Sequence, residues 1–117
     1  MANRTLDLDR AFQALADPTR RAVIGRLGAG PLSVGELAAP FDMALPSFLK
    51  HIHSLEKAGW ITTTKVGRVR ACTLRREQLD AVEGWLAEQR RLWVARTDRL
   101  ERFVTETHDH HQQEDDA

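Results

Sequence analysis

The sequence predicts a mainly helical domain of the α+β class that contains one β-hairpin, and three features of the chain support this fold class. Four short segments with apolar residues at helical spacing are separated by breaks that contain proline and glycine. Two β-branched segments joined by a glycine turn follow, and a long helical segment comes last. We expect residues 1–104 to form this domain and residues 105–117, which are almost entirely polar, to be a disordered tail.

Capping residues mark the boundaries of the first three helices. The first helix, within residues 6–16, ends at Asp17, because the residue before a proline avoids the helical region of backbone space. Asp17 is then a favourable N-cap for a second helix that has Pro18 in its first turn. Ser33 and Glu36 have the spacing of a capping box, which predicts the start of a third, short helix.

Segment 44–58 predicts a fourth helix with one apolar and one polar face. At about 100° per residue, Leu45, Phe48, Ile52 and Leu55 fall on the same side of this helix and form an apolar stripe. The opposite side carries hydroxyl and ammonium groups without a carboxylate, from Ser47, Lys50, Ser54 and Lys57. Two short helices joined by a tight turn, with a basic outer face on the second, are typical of a helix-turn-helix that binds DNA phosphates and base edges. An ordinary solvated helix face is the alternative.

Segment 61–74 predicts a basic β-hairpin. Its two halves are rich in β-branched or alternating residues, and Gly67 between them is able to take a positive φ. Lys65, Arg68 and Arg70 lie at or near the tip. A basic hairpin directly after a helix-turn-helix is typical of a wing, whose arginines reach phosphates or a narrow minor groove. An exposed hairpin that its charges keep soluble is the alternative.

The last predicted helix, 76–104, carries an apolar stripe that repeats at roughly seven-residue intervals. The stripe consists of Leu79, Val82, Leu86, Trp93 and Leu100, with Trp85 and Phe103 beside it. At about 1.5 Å per residue such a helix spans about 43 Å, which is more than a domain of this size covers by itself. We therefore expect the stripe to pack against a second copy of the chain, and a helix folded over its own core is the alternative.

Composition and charge narrow the class of function. All 17 Lys and Arg precede residue 105, whereas five of the 17 carboxylates follow it, so the overall neutrality hides a net charge of +5 on residues 1–104. A net positive charge on the domain is compatible with nucleic-acid binding. A single cysteine and an N-terminus without an apolar signal segment lead us to expect a cytoplasmic location, and no apolar run is long enough to cross a membrane. No motif indicates an enzyme, and no cofactor is expected.

Three blocks, ADPTRRAVIGRL, LSVGELAAPFDMALPSFLKHIHSLEKAGWI and KVGRVRACTL, together resemble the ArsR/SmtB family of bacterial winged-helix repressors. The resemblance implies a homodimer packed through its first and last helices, which adds Phe12 to the expected interface. It also implies that two recognition helices enter successive major grooves of an inverted-repeat operator in double-stranded DNA. The family's DNA-contacting positions correspond to Ser47, Leu49, Lys50, His51 and Ser54 on the helix and to Gly67, Arg68 and Arg70 on the wing.

The resemblance favours the family members that have no metal site. Metal sensors in the family often carry a cysteine pair on the third helix, whereas the corresponding segment here is SVGEL. The candidate metal ligands are His108, His110 and His111 in the tail, with Asp109 and Glu114 beside them, and a flexible tail does not hold ligands in a preorganised geometry. A metal-responsive sensor that uses these histidines and a winged helix that binds another protein are the two alternative functions. The sequence does not identify a small-molecule effector.

Overall fold

The computed structural model describes the backbone of residues 4–115 and the side-chain surroundings of residues 8–105. In chain order, its helices and strands are α1 (Arg4–Ala14), α2 (Pro18–Leu27), β1 (Leu32–Ser33), α3 (Val34–Ala38), α4 (Leu45–Lys57), β2 (Ile61–Val66), β3 (Val69–Leu74) and α5 (Arg76–Asp115). This order confirms the predicted α+β class, with one hairpin between the fourth and fifth helices. The chain divides into two compact units, Met1–Val82 and Glu83–Ala117.

The core of the first unit contains the apolar face of α4. Phe48, Ile52 and Leu55 are buried, as their spacing predicted, whereas Leu45 in the first turn of the same stripe is 54% exposed. Trp60 follows α4 and is also buried, and its indole Nε1 donates a hydrogen bond of 2.9 Å to the carbonyl oxygen of Ala11 in α1. Since one face of α4 is held in the core, its opposite face must lie at the surface of the unit.

The predicted caps are present. The carboxylate of Asp17 accepts a hydrogen bond of 3.1 Å from the backbone N–H of Arg20 at the start of α2. Ser33 Oγ accepts from the backbone N–H of Glu36, and Glu36 Oε1 accepts from the backbone N–H of Ser33, so the capping box that starts α3 is complete. Ala44 precedes α4 without a side-chain cap, as expected for alanine.

The sheet has three strands rather than the two that the hairpin predicted. Its order is β1-β3-β2, and both pairs are antiparallel. β1 has only two residues, so the sequence carries too short a pattern to reveal it. In the hairpin, the two-residue turn begins with Gly67 at a φ of 64°, which an L side chain rarely adopts. This turn, with its first central residue at positive φ, matches the type II′ geometry that suits the twist of a hairpin.

The second unit consists of the greater part of α5. The helix passes through Gly84 without a break and continues beyond residue 104, where the sequence predicted its end. The backbone is helical to Asp115, which differs from the disordered tail predicted for residues 105–117. Residues 105–115 contain neither glycine nor proline, so no residue in this segment interrupts the helical hydrogen bonds. In the described part of the chain, no helix is both long and apolar enough to span a membrane.

The predicted apolar stripe of the last helix differs in exposure between the two units. Val82, in the first unit, is only 5% exposed and belongs to the core of its own chain, which leaves little of its side chain for the predicted interface between copies. Phe12 of α1, also predicted for the interface, is partly buried and packs against the same core. In the second unit, by contrast, Leu86, Trp93 and Leu100 are 50%, 73% and 63% exposed. Within the first unit, Leu79 is 38% exposed, so Val82 is the residue of the stripe that belongs to the core.

Candidate nucleic-acid interface

The outer face of α4 presents the predicted polar side chains to solvent. Ser47, Lys50 and Ser54 are exposed, and Lys57 extends the same face towards the end of the helix. Leu49 lies at one edge of this face and is 38% exposed, so its methyl groups are available for contact. These groups offer hydroxyl and ammonium donors beside one apolar contact, which is a combination that base edges and phosphates accept.

The register of the hairpin determines which cations of the wing, β2 and β3 with their turn, face α4. Lys65 pairs directly with Arg70, so the two side chains share one face of the sheet. Arg70 is two residues from Cys72, which is fully buried, and side chains alternate along a strand. The face of the sheet that packs into the core near Cys72 therefore continues as a cationic surface towards the tip.

A groove of about 550 Å³ lies between α4 and the wing. Arg70 lines it from β3, and Leu49, Lys50, His53 and Ser54 line it from α4. The groove thus brings together four residues that the sequence predicted as DNA contacts, although Arg70 is separated from the α4 residues along the chain. Arg68 is exposed in the turn at the tip of the wing and is not among the residues that line the groove.

One hydrogen bond ties α4 to the wing. Thr63 of β2 donates its hydroxyl hydrogen to Glu56 Oε2 of α4 over 2.6 Å. Glu56 lies at the flank of α4 and also lines the groove, and this bond joins its carboxylate to the wing. Burial raises the pKa of the nearby Cys72 thiol, and the charge of Glu56 raises it further, against the opposing effect of Arg70. A buried thiol with a raised pKa forms the reactive thiolate less readily than an exposed one.

His51 is directed towards the body of the unit, in contrast to its predicted role in DNA contact. Its Nδ1 lies 3.3 Å from Arg20 Nη1 and 3.7 Å from Asp17 Oδ2. The two partners belong to the junction of α1 and α2, which local spacing in α4 does not reveal. Burial of Asp17 would raise its carboxyl pKa, but the backbone N–H of Arg20 and the charges of His51 and Arg20 outweigh it and lower the pKa.

His53 is the α4 residue that the sequence-based assignment left out. It is exposed, and it lines the groove between α4 and the wing. At about 100° per residue it lies close to Lys50 and Lys57 around the helix axis, so the periodicity already contained this signal.

The side chains of the tail histidines, His108, His110 and His111, lie outside the part of the chain whose side chains the structure describes. Within that part, no three His, Cys, Asp or Glu residues lie close enough together to hold a metal ion.

Comparisons with known proteins agree with this geometry. A family model described as a helix-turn-helix domain matches residues 15–64. The HTH-type transcriptional regulator Rv2034 of Mycobacterium tuberculosis is 41% identical over 97 residues, which are 83% of this chain and 78% of that protein. The transcriptional repressor SdpR of Bacillus subtilis is 28% identical over 79 residues, 68% of this chain and 88% of that protein. A crystal structure of an ArsR family transcriptional regulator has 64% identity and a TM-score of 0.74, and the match covers 80% of this chain and 96% of that chain.

The helix pair α3–α4 followed by a basic hairpin defines the class of winged helix-turn-helix proteins. The chain belongs to the ArsR/SmtB family of transcriptional regulators. It is accordingly a DNA-binding regulator of transcription, from a family of regulators rather than of enzymes.

Proposed function

We propose that the protein is a homodimeric repressor that binds an inverted-repeat operator through α4 and the wing, and that it acts in the cytoplasm. The observation that carries this proposal is the groove in which Arg70 of the wing lies beside Lys50 and Ser54 of α4. Cations from separate elements converge there beside the Ser54 hydroxyl, and the carboxylate of Glu56, which also lines the groove, accepts the hydrogen bond from Thr63. The relative SdpR of Bacillus subtilis is a transcriptional repressor, which supports repression as the outcome of binding.

In this proposal, α4 reads the major groove. Lys50 and Ser47 donate hydrogen bonds to acceptor atoms on base edges, and His53 replaces His51 among the contacts of the exposed face. Leu49 contacts a thymine C5-methyl group, because its exposed side chain has no hydrogen-bonding atom. These residues give the protein its preference for a particular operator.

The wing supplies contacts that do not depend on sequence. Lys65 and Arg70 share one face of the hairpin, and Arg68 extends from its tip. Their positive charges bind phosphate oxygens along the DNA backbone and displace the counterions held there. They therefore add affinity on every duplex and position α4 in the groove.

Dimerisation uses the exposed apolar stripe of α5. Leu79 is 38% exposed in the first unit, and Leu86, Trp93 and Leu100 continue the stripe at seven-residue intervals in the second. A row of exposed apolar side chains on one side of a helix is characteristic of an interface. A second copy, related by a two-fold axis, presents the same stripe and covers it. Phe103 follows Leu100 on α5 and extends this interface. Residues 1–104 carry both DNA binding and dimerisation.

A binding titration with the DNA upstream of the protein's own gene tests the proposal. Fluorescence anisotropy at a series of salt concentrations measures affinity for this duplex and for an unrelated duplex of equal length. We expect tighter binding to the upstream DNA and a steep loss of affinity with added salt on both, because phosphate contacts release counterions. A winged helix that binds only another protein would bind neither duplex at any salt concentration, and that result would overturn the proposal.

A further inference from the structure

A second polar cleft lies on the other side of α4, away from the wing. It has a volume of about 350 Å³ and is formed by α1, the first turn of α2 and the C-terminal half of α4. Its polar lining consists of Arg10, Gln13, Arg20, Ser54 and Lys57. Three of these five side chains are cations and none is a carboxylate, so the cleft is a concentrated positive surface.

Ser54 and Lys57 belong to the lining of both the cleft and the groove beside the wing. These two residues therefore form a ridge along α4 that separates the two concave surfaces. On the wing side of the ridge, Arg70 is the cation contributed by another element. On the opposite side of the ridge, the cations contributed by other elements are Arg10 of α1 and Arg20 of α2.

The positions of the cations around α4 match the shape of a major groove. A groove about 12 Å wide that holds a helix has one phosphate strand along each side of that helix. The wing supplies cations to only one of these strands. We propose that the cleft between α1 and α4 binds a backbone phosphate of the other strand, so that the DNA is held from both sides of α4. This inference rests on the proposed function, because it assumes that α4 enters the major groove.

Two arginines of the cleft have different roles in this proposal. Arg20 is fixed, because its Nε donates 2.7 Å to the carbonyl oxygen of Ala14 and its Nη2 donates 3.1 Å to that of Gln13. It contributes a stationary positive charge to the wall of the cleft. Arg10 is exposed on α1, and its guanidinium makes the direct contact with the phosphate. The amide of Gln13 adds a neutral donor from the next turn of α1.

The test compares salt dependence in three variants that each lose one positive charge. Arg10→Gln removes the proposed phosphate contact, Arg70→Gln removes a wing contact, and Arg102→Gln on α5 is the matched control. Because the homodimer has two such clefts, we expect Arg10→Gln to lower the slope of log affinity against log salt by about 2, or about 1 for each copy, on specific and unrelated DNA alike. Between about 50 and 200 mM salt, this variant would then lose about 12- to 16-fold less affinity than the wild type. Arg102→Gln should keep the wild-type slope. Arg20 is not substituted, because loss of its hydrogen bonds to the end of α1 would disturb that helix.

Gln13→Glu tests the same cleft by adding a carboxylate, and it should weaken binding on every duplex. Ethylation interference locates the contact: at least one phosphate on the strand away from the wing should block the wild type when ethylated but not Arg10→Gln. If Arg70→Gln lowers the slope while Arg10→Gln and Gln13→Glu bind as the wild type does, the cleft inference is overturned and the proposed function stands. If the wild type itself binds no duplex, the proposed function fails as well.

Discussion

The two units of this chain use their apolar residues in opposite ways. In the first unit, large side chains such as Trp60 and Phe48 are buried, whereas the exposed surface around α4 combines polar and cationic groups with single apolar residues such as Leu45, which is 54% exposed. In the second unit, Leu86 and Trp93 are at least half exposed on a single helix. Two tryptophans thus have contrasting surroundings, with Trp60 1% and Trp93 73% exposed.

This contrast indicates a division of roles. The first unit buries enough apolar surface to hold α4 and the wing in a defined geometry, which DNA binding requires. The second unit cannot bury its apolar stripe by itself, and such a surface favours association. Four substitutions test this division of roles, from the largest expected effect to the smallest.

Trp60→Ala should lower the free energy of unfolding by about 3–5 kcal/mol, because it leaves a cavity in the core and removes the hydrogen bond to Ala11. Urea denaturation followed by circular dichroism measures the change. Trp93→Ala is the matched control and should have a much smaller effect at protein concentrations low enough to keep the chain monomeric. Equal losses in both variants would contradict the contrast between the two units.

Trp93→Glu should break the dimer while the first unit stays folded. A carboxylate without a partner in an apolar interface costs several kcal/mol, so the dissociation constant of the dimer should rise more than a hundredfold. Sedimentation velocity over a range of concentrations gives this constant, and Arg102→Gln again serves as the control. An intact dimer in the glutamate variant would place the interface elsewhere on the chain.

Lys50→Ala should change which operators are preferred, whereas a change in the wing should not. Loss of a base-edge contact reduces discrimination at the affected base pair by about 1–3 kcal/mol. Selection from a random DNA pool reports the consensus for this variant and for Arg68→Ala, which should keep the wild-type consensus with lower affinity. An unchanged consensus in Lys50→Ala would show that α4 does not read bases at this position.

Asp17→Ala should have the smallest effect, about 1 kcal/mol at neutral pH, through loss of the α2 cap. The pKa of Asp17 is lowered in the folded chain, so its carboxylate stabilises the fold above the unfolded value of about 3.9. This stabilisation is lost as the pH falls through the lower pKa of the folded state. Urea denaturation at several pH values should therefore show the wild type and the variant converging in acid, and a constant difference would contradict the role of the charge.

Local signals were sufficient to predict most of the fold. Proline after Asp17, the Ser33–Glu36 spacing and Gly67 in the hairpin each depend on a few adjacent residues, and all three are confirmed. The two-residue strand β1 was missed because it exists only through pairing with β3, as between Leu32 and Cys72, which lie far apart in sequence.

The site was less predictable, because it depends on which side of a helix meets another element. His51 lies at the flank of α4, and its contact with Arg20, 31 residues away, turns it from the exposed face. Val82 continues the same apolar stripe as Leu86, and only the packing of the first unit distinguishes a core residue from an exposed one. Arg10 has no local pattern that marks it, and it is recognised only through the cleft it shares with α4.

The most direct test of the division of roles is the spacing of the two operator half-sites. If α5 joins two copies rigidly, their α4 helices enter major grooves about one helical turn apart on the same side of the duplex. Insertion of five base pairs between the half-sites turns one of them to the opposite side. Affinity should then fall to that of a duplex with a single half-site. Affinity equal to that of the unaltered operator would contradict a rigid dimer joined through α5.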